Sequence, residues 1–350
     1  MVEAVRRVMR SHEQHVRHPD IMIIAGDIGG TKTNVALFEP DGENLGATVA
    51  ERSFPSNDYD SLEAILAEFV AEHRPRLTHA CFGVAGPVAD GYVETTTLAW
   101  NVSARSLAES LRLERVGLIN DLEATAYGIE ALEASQLYTL HAGEGAEPEG
   151  HRALIAAGTG LGMAGLFRHR GQFHPIASEG GHIDFAPRNR MEIDLLLYMF
   201  GKLGGRVSYE RVLSGPGLFN IYSFLRDAGF AEEPRWLADE IAAGDAPASV
   251  SKAALEGKSE LASKALDIFV DIYGSMAGNL ALMLKPTGGL YVGGGIAPKI
   301  LEKLKEGAFM RAYKDKGRLS FVVEPIPVRV VLDDHAALYG AARCALLGKG

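Results

Sequence analysis

The sequence predicts an α/β fold of two domains with mixed sheets. Three observations point to it: the length of the chain, the alternation of strand-like and helix-like segments at both of its ends, and a strand, glycine turn and strand that occur twice. The 350 residues give room for about two domains, and 47% apolar residues supply material for two cores.

The first element is Ile21–Ala25, a short apolar run ending in Gly26-Asp27-Ile28-Gly29-Gly30-Thr31; Asn34–Phe38 then continues as a second strand until Pro40-Asp41-Gly42 turns the chain. Val49–Phe54 supplies a third strand. Leu62, Ile65, Leu66, Phe69 and Val70 fall at helical spacing, with Asp60 or Ser61 as the cap and a stop before Pro75. Strand Ala80–Ala85, helix Ala104–Leu113, strand Val116–Ile119 and helix Leu122–Leu132 complete the first half. The opening pattern restarts at Ala153–Ala157, turns through Gly158-Thr159-Gly160-Leu161-Gly162 and continues as Met163–Phe167, a degenerate internal repeat. From Asp184 to Leu284 the pattern is helical and acidic, with Ser251–Leu284 a long helix broken near Gly257 and Gly274. Leu290–Val292 is a strand ending at Gly293-Gly294-Gly295, followed by helix Lys299–Leu304, strand Val328–Leu332 and a closing helix Ala336–Leu347.

Composition removes several classes. Forty glycines with no G-X-Y period and only 15 prolines exclude collagen-like and low-complexity chains. Lys and Arg number 35 against 45 Asp and Glu, a net charge of −10 that argues against nucleic acid or an anionic membrane as the main partner. Cys81 and Cys344, far apart and without a CxxC pair, offer neither a disulfide framework nor a cysteine zinc site and fit a reducing, cytoplasmic setting. Ile21–Ala25, Asp194–Phe200 and Leu280–Leu284 are too short or interrupted to cross a bilayer. Residues 1–20 carry Arg6, Arg7 and Arg10 but lack an apolar stretch and contain Glu3 and Glu13. They are expected as an extra helix, or as the result of a start chosen upstream of Met22, rather than as a secretory signal.

Chemistry is concentrated at the glycines and the strand ends. In Gly26–Thr31 the backbone amides can approach an anion where no side chain intervenes, and Asp27 can hold hydrated Mg²⁺; a plain hairpin turn is the alternative. Gly160-Leu161-Gly162-Met163-Ala164-Gly165 matches GxGxxG, but the residues after it read as a hairpin, so Gly158-Thr159-Gly160 fits a second phosphate turn better than a dinucleotide fingerprint. Asn120-Asp121 follows a strand and precedes a helix, the place where open α/β sheets bind ligands. Asp121 can take a proton there, or the pair is a helix cap. Glu179-Gly180-Gly181-His182-Ile183-Asp184 sets carboxylates and an imidazole around two glycines, a match for sugar hydroxyls. A His182/Asp184 metal pair lacks further ligands nearby. Glu210 alone would pass for a surface carboxylate, and Gly293–Gly295 suits either a flat adenine and ribose or a close packing turn.

Together these segments resemble the bacterial glucokinase family, within the sugar kinase, actin and heat-shock ATPase superfamily and with the ROK kinases as more distant kin. Gly26–Thr31 looks like the family's first phosphate motif, Leu118-Ile119-Asn120-Asp121 like its catalytic segment and Ala157–Gly162 like its second phosphate motif. Glu179–Pro187 and Glu210–Leu218 look like its sugar-site segments, and Lys314-Asp315-Lys316-Gly317-Arg318 also matches, with no chemical role evident. The resemblance implies an actin-like ATPase (ribonuclease H-like) fold, two α/β domains closing around a central cleft. A smaller domain of residues 21–131 plus 333–350 and a larger one of 132–332 with a helical insertion are expected, after an extension of residues 1–20.

It implies phosphorylation of glucose by ATP to glucose 6-phosphate and ADP, with Asp121 as base and Asn120, Glu179, His182 and Glu210 on the other hydroxyls. ATP and Mg²⁺ would be served by Gly26, Asp27, Ile28, Gly29, Gly30, Thr31, Gly158, Thr159, Gly160, Gly293, Gly294 and Gly295, with Asp27 holding the ion through water. A homodimer is expected. Lys32-Thr33-Asn34 is closer to ROK proteins, yet their cysteine-rich zinc motif is absent, and 20 residues before Ile21 are too few for a repressor's helix-turn-helix. Another hexose, polyphosphate as donor, or a non-catalytic sugar- or nucleotide-binding regulator are the alternatives.

Overall fold

The computed structural model describes residues 21–42, 44–95 and 98–348, so the expected N-terminal extension lies outside the described residues. Two compact units emerge: one runs to Gly128 and resumes at Ala337, and the other is Ile129–Ala336.

The first unit is built on β1 (Ile21–Ile28), β2 (Lys32–Asp41), β3 (Asn44–Pro55), β4 (Arg76–Val84), a small pair β5 (Tyr92–Val93) and β6 (Val102–Ser103), and β7 (Gly117–Asn120). The five main strands lie in the order β3-β2-β1-β4-β7; β1 pairs antiparallel with β2 and parallel with β4, and β4 pairs parallel with β7. β1 reads as a near-continuous apolar run because both faces of the sheet are covered. Met22 and Ile24 face the side of α1 (Leu62–His73) and α2 (Ala104–Leu111), while Ile23 and Ala25 face α3 (Asp121–Gly128) and the C-terminal helix Ala336–Leu346. Ser61 caps α1, its hydroxyl accepting from the Ala64 N–H at 3.2 Å, and Arg74 ends the helix at φ 47° before Pro75. Cys81 of β4 and Cys344 of the C-terminal helix, remote in sequence, are free thiols buried in the same core and hydrogen-bonded to each other; that bond and burial push the Cys81 thiol well up.

The second unit repeats the plan with β8 (Leu137–His141), β9 (Arg152–Ala157), β10 (Leu161–His169), β11 (Gln172–Ser178), β12 (Gly289–Gly293) and β13 (Val328–Val331) in the order β11-β10-β9-β12-β13-β8. The β9–β10 hairpin is antiparallel, and β12 runs parallel to both β9 and β13, so the internal repeat extends from one hairpin to five strands. β8 adds an antiparallel edge that the sequence pattern does not announce.

The helical region is α4 (Arg190–Leu203), α5 (Gly215–Asp227), α6 (Arg235–Ala243), α7 (Ala246–Leu255) and α8 (Glu260–Leu284), followed by the shorter α9 (Leu301–Lys305), α10 (Ala308–Lys314) and α11 (Ser320–Val323) before the C-terminal helix α12. A break does fall at Gly257, φ 64°, but none at Gly274. Gly274 keeps helical geometry and is small because a Cβ there would lie 2.1 Å from the Phe309 carbonyl oxygen, so α8 stays whole where α10 crosses it. Among the described residues no helix is long and apolar enough to cross a membrane.

Candidate active site

In the first unit the parallel ladders set Asp27 opposite Gly83 and Val84 opposite Asn120, so the C-terminal ends of β1, β4 and β7 meet at one edge of the sheet. Gly83 makes this closeness possible: a Cβ there would sit 2.8 Å from Ala124 Cβ, with the Asp121 Cα and the Gly26 carbonyl oxygen each at 3.8 Å. Asn120 donates from Nδ2 to the Gly86 carbonyl at 3.0 Å and accepts the Leu122 N–H through Oδ1 at 2.9 Å. The same N–H lies 2.9 Å from Asp121 Oδ1, and the Thr125 hydroxyl donates to the Asp121 carbonyl at 2.9 Å. Asn120 and Asp121 thus share the Leu122 N–H, and Asp121 begins α3 half-buried at the strand edge.

The turn from β1 to β2 is closed by the Gly29 N–H on the Lys32 carbonyl at 3.0 Å, and Asp27 precedes it as a half-buried carboxylate. Ser56, which no sequence motif singles out, contacts this turn from the end of β3: its N–H donates to the Thr31 carbonyl at 3.0 Å and its hydroxyl to the Gly29 carbonyl at 2.8 Å.

In the second unit the β9–β10 turn is Gly158-Thr159-Gly160, closed by the Gly158 N–H on the Gly160 carbonyl at 2.9 Å. β10 begins at once, so the GxGxxG match opens a strand and not the helix a dinucleotide fingerprint requires. Glu210, on a short 3₁₀ turn at Tyr209–Arg211, reaches this hairpin and accepts the Leu161 N–H through Oε2 at 3.2 Å. A Cβ at Gly160 would lie 2.8 Å from that same oxygen. The His182 Nε2 stands 4.0 Å from it, near but beyond hydrogen-bond length. His182 sits on the 3₁₀ turn Gly180–His182, whose start is fixed by the His182 N–H on the Glu179 carbonyl at 3.0 Å; the Glu179 side chain is exposed. Arg206 pairs with Asp184 and donates to the His182 carbonyl, so Asp184 is held in an exposed ion pair beside the loop.

Three glycine segments converge on the end of β9. Gly294, φ 81°, leaves no room for a side chain, since a Cβ would fall 2.3 Å from the Ala157 carbonyl oxygen, which also accepts the Ile296 N–H at 3.2 Å. The Tyr273 hydroxyl of α8 lies 3.3 Å from the Gly293 carbonyl and 3.4 Å from that of Ile155, and burial pushes this phenol up. From the other side, the Gly215 N–H at the start of α5 donates to the Gly158 carbonyl at 2.8 Å, with Ser214 capping the helix. A cavity of about 680 Å³ opens beside these segments, lined by Gly158, Thr159, Pro216, Ser251, Gly295 and Lys299 among others. Ser214-Gly215-Pro216-Gly217 carries a readable signal, a cap residue followed by proline at the helix start. The contribution of α7 through Ser251 has none, because it depends on how two helices pack.

The structure thus gathers Asp27, Asn120 and Asp121 in one unit, and Gly158–Gly160, His182, Glu210 and Gly293–Gly295 in the other. The glucokinase family model matches residues 24–347. A glucokinase of Nostoc sp. (strain PCC 7120) is 41% identical over 338 residues, covering 93% of this chain and 98% of the relative. The crystal structure of a glucokinase from an Antarctic psychrotroph is similar at 32% identity and TM-score 0.80, over 93% of this chain and 98% of that one. A ROK family glucokinase from Streptomyces griseus, solved with glucose and AMPPNP, shares the fold at 22% identity and TM-score 0.62, over 93% of this chain and all of that one (100%).

Proposed function

The chain belongs to the glucokinase family, and we propose that Asp121 is the general base with which it phosphorylates glucose at the 6-hydroxyl, using ATP and giving glucose 6-phosphate and ADP. Asp121 takes the proton of the 6-hydroxyl as that oxygen forms its bond to the γ-phosphorus and the bond to the β,γ-bridging oxygen breaks, leaving ADP. Asn120, Glu179, His182 and Glu210 hold the remaining hydroxyls, and the amides of Gly29–Thr31 and Gly158–Gly160 meet phosphate oxygens. The cavity beside Gly158, Thr159 and Gly295 suits the adenosine moiety. Asp27, a half-buried carboxylate at a strand end beside the glycine turn, is the kind of oxygen donor that Mg²⁺ takes and would hold it through water. When bound, the ion neutralises phosphate charge.

The observation that carries this reading is the meeting of β1, β4 and β7 at one edge, which sets Asp121, at the end of β7, against Gly83 of β4 and one strand away from β1, which bears Asp27. Asp121→Asn is expected to cut ATP-dependent glucose phosphorylation in a coupled assay by about 10²-fold or more while leaving the thermal unfolding midpoint in place. Near-normal turnover would sink the assignment. Running the wild type on a panel of hexoses, with ATP and polyphosphate as donors, separates glucose from another hexose and a kinase from a non-catalytic binder.

A homodimer and a cytoplasmic location complete the proposal. The second is supported by the two free thiols. The first is supported by α4, whose Leu195 and Met199 are buried while Ile193, Leu197 and Phe200 are 43%, 63% and 56% exposed on another face. Their spacing of four and three is the seam with which one helix packs on a second. Pairing two copies about Leu197 would set Ile193 of each against Phe200 of the other.

A further inference from the structure

We infer that Ser56, with Thr33 behind it, is the positioning residue that turns the Gly29–Gly30 amide toward a bound phosphate. The inference rests on the proposed kinase activity, in which the Gly26–Thr31 turn contacts ATP. Ser56 and Thr33 are both fully buried, at 0% exposure, and their hydroxyl oxygens lie 2.9 Å apart. The Ser56 hydroxyl has one proton, and it goes to the Gly29 carbonyl at 2.8 Å. The proton between the two hydroxyls therefore belongs to Thr33, which fixes a directed chain from the Thr33 O–H to Ser56 Oγ and from the Ser56 O–H to the Gly29 carbonyl.

The direction matters because the Gly29 carbonyl and the Gly30 N–H belong to one peptide unit. In a planar trans peptide the two point opposite ways, so a carbonyl held on the Ser56 side sends the Gly30 N–H to the other side. A second bond from the same residue, the Ser56 N–H on the Thr31 carbonyl at 3.0 Å, holds the far end of the turn. A hydrogen bond accepted by the carbonyl also polarises the peptide and strengthens its N–H as a donor. Register explains the placement: Lys32 pairs with Pro55 and Thr33 with Phe54, so Ser56 is the first residue past the β2–β3 ladder and falls opposite Thr31. Without this support, two adjacent glycines would leave the turn free to present either face of the peptide.

Ser56→Ala is expected to raise KM for ATP about tenfold, the scale of one lost oriented hydrogen bond, with KM for glucose within twofold of wild type. Thr33→Val, which removes the upstream donor and leaves the Ser56 bond, is expected to raise KM for ATP about threefold. Thermal unfolding midpoints of both variants are measured alongside. An unchanged KM for ATP in Ser56→Ala overturns the inference, as do equal rises in both KM values, which a general structural loss would produce. If Ser56→Ala does not fold, an unchanged KM for ATP in Thr33→Val overturns it instead. A wild type without ATP-dependent turnover fails differently, by removing the kinase reading on which the inference rests.

Discussion

A methyl group added at Gly181 would place its carbon 1.9 Å from the Leu161 carbonyl oxygen, whereas one added at Gly158 would meet nothing within 4 Å. Gly181 is small because β10 passes against its backbone; Gly158 is small in open space, where the proposed phosphate would lie. Gly181→Ala is expected to lose about 2 kcal/mol or more of stability in urea titration, since backbone must shift. Gly158→Ala is expected to stay within about 0.5 kcal/mol of wild type and to raise KM for ATP; an unchanged KM would remove Gly158 from the phosphate contacts. At this scale the sequence is legible where candidate residues lie in one short stretch, as in Asn120-Asp121 or Glu179–Asp184. It is silent on Ser56, whose side-chain partners Thr33 and Gly29 lie 23 and 27 residues away, and on Glu210 reaching Leu161 across 49 residues.

Elements were legible wherever a period or a cap survives, and α8 shows where the reading fails. A glycine in a helical pattern reads as a break, yet Gly274 and Gly278 are points of close approach: Cβ atoms there would lie 2.1 Å from the Phe309 carbonyl oxygen and 2.3 Å from that of Tyr313. The same crossing gives Lys316, within the Lys314–Arg318 segment, a structural place. The Lys316 chain passes over Gly278, and its ammonium donates to the Ser275 carbonyl at 3.0 Å and lies 3.4 Å from the Ser275 hydroxyl. Burial, reinforced by the Arg188 charge and opposed by Asp315 and Glu192, lowers its pKa from 10.5 to about 8. A lysine whose folded pKa lies below its unfolded one costs stability in full below the folded value, and the cost is relieved as pH rises from about 8 toward 10.5. Wild type is therefore expected to gain stability relative to Lys316→Met between about pH 7 and about pH 9, test values about one unit below and above that lowered pKa. Urea midpoints at the two pH values check it, and a constant gap would show that the amine titrates normally.

For the molecule as a whole, the legible quantity was the duplication. One hairpin seen twice in the sequence stands for two sheets in which an antiparallel meander is followed by parallel strands. The edge strand β8 stayed hidden because five residues between turns carry little period of their own. The exposed seam of α4 stayed hidden because the run Leu195–Phe200 is apolar all round, and periodicity cannot say which face the core takes. Leu197→Glu is expected to yield monomers in sedimentation velocity, with turnover retained; a variant that remains paired would move the interface off α4.

Cys81 and Cys344 are the chain's two cysteines, and both are buried in the core of the first unit. An alkylating reagent can reach either thiol only after that core opens, so the labelling rate of the native protein is a clock for the opening of one unit while the other stays silent. A single cysteine introduced at an exposed position of Ile129–Ala336 would react at once against a blank background, and two halves of one chain could then be timed separately.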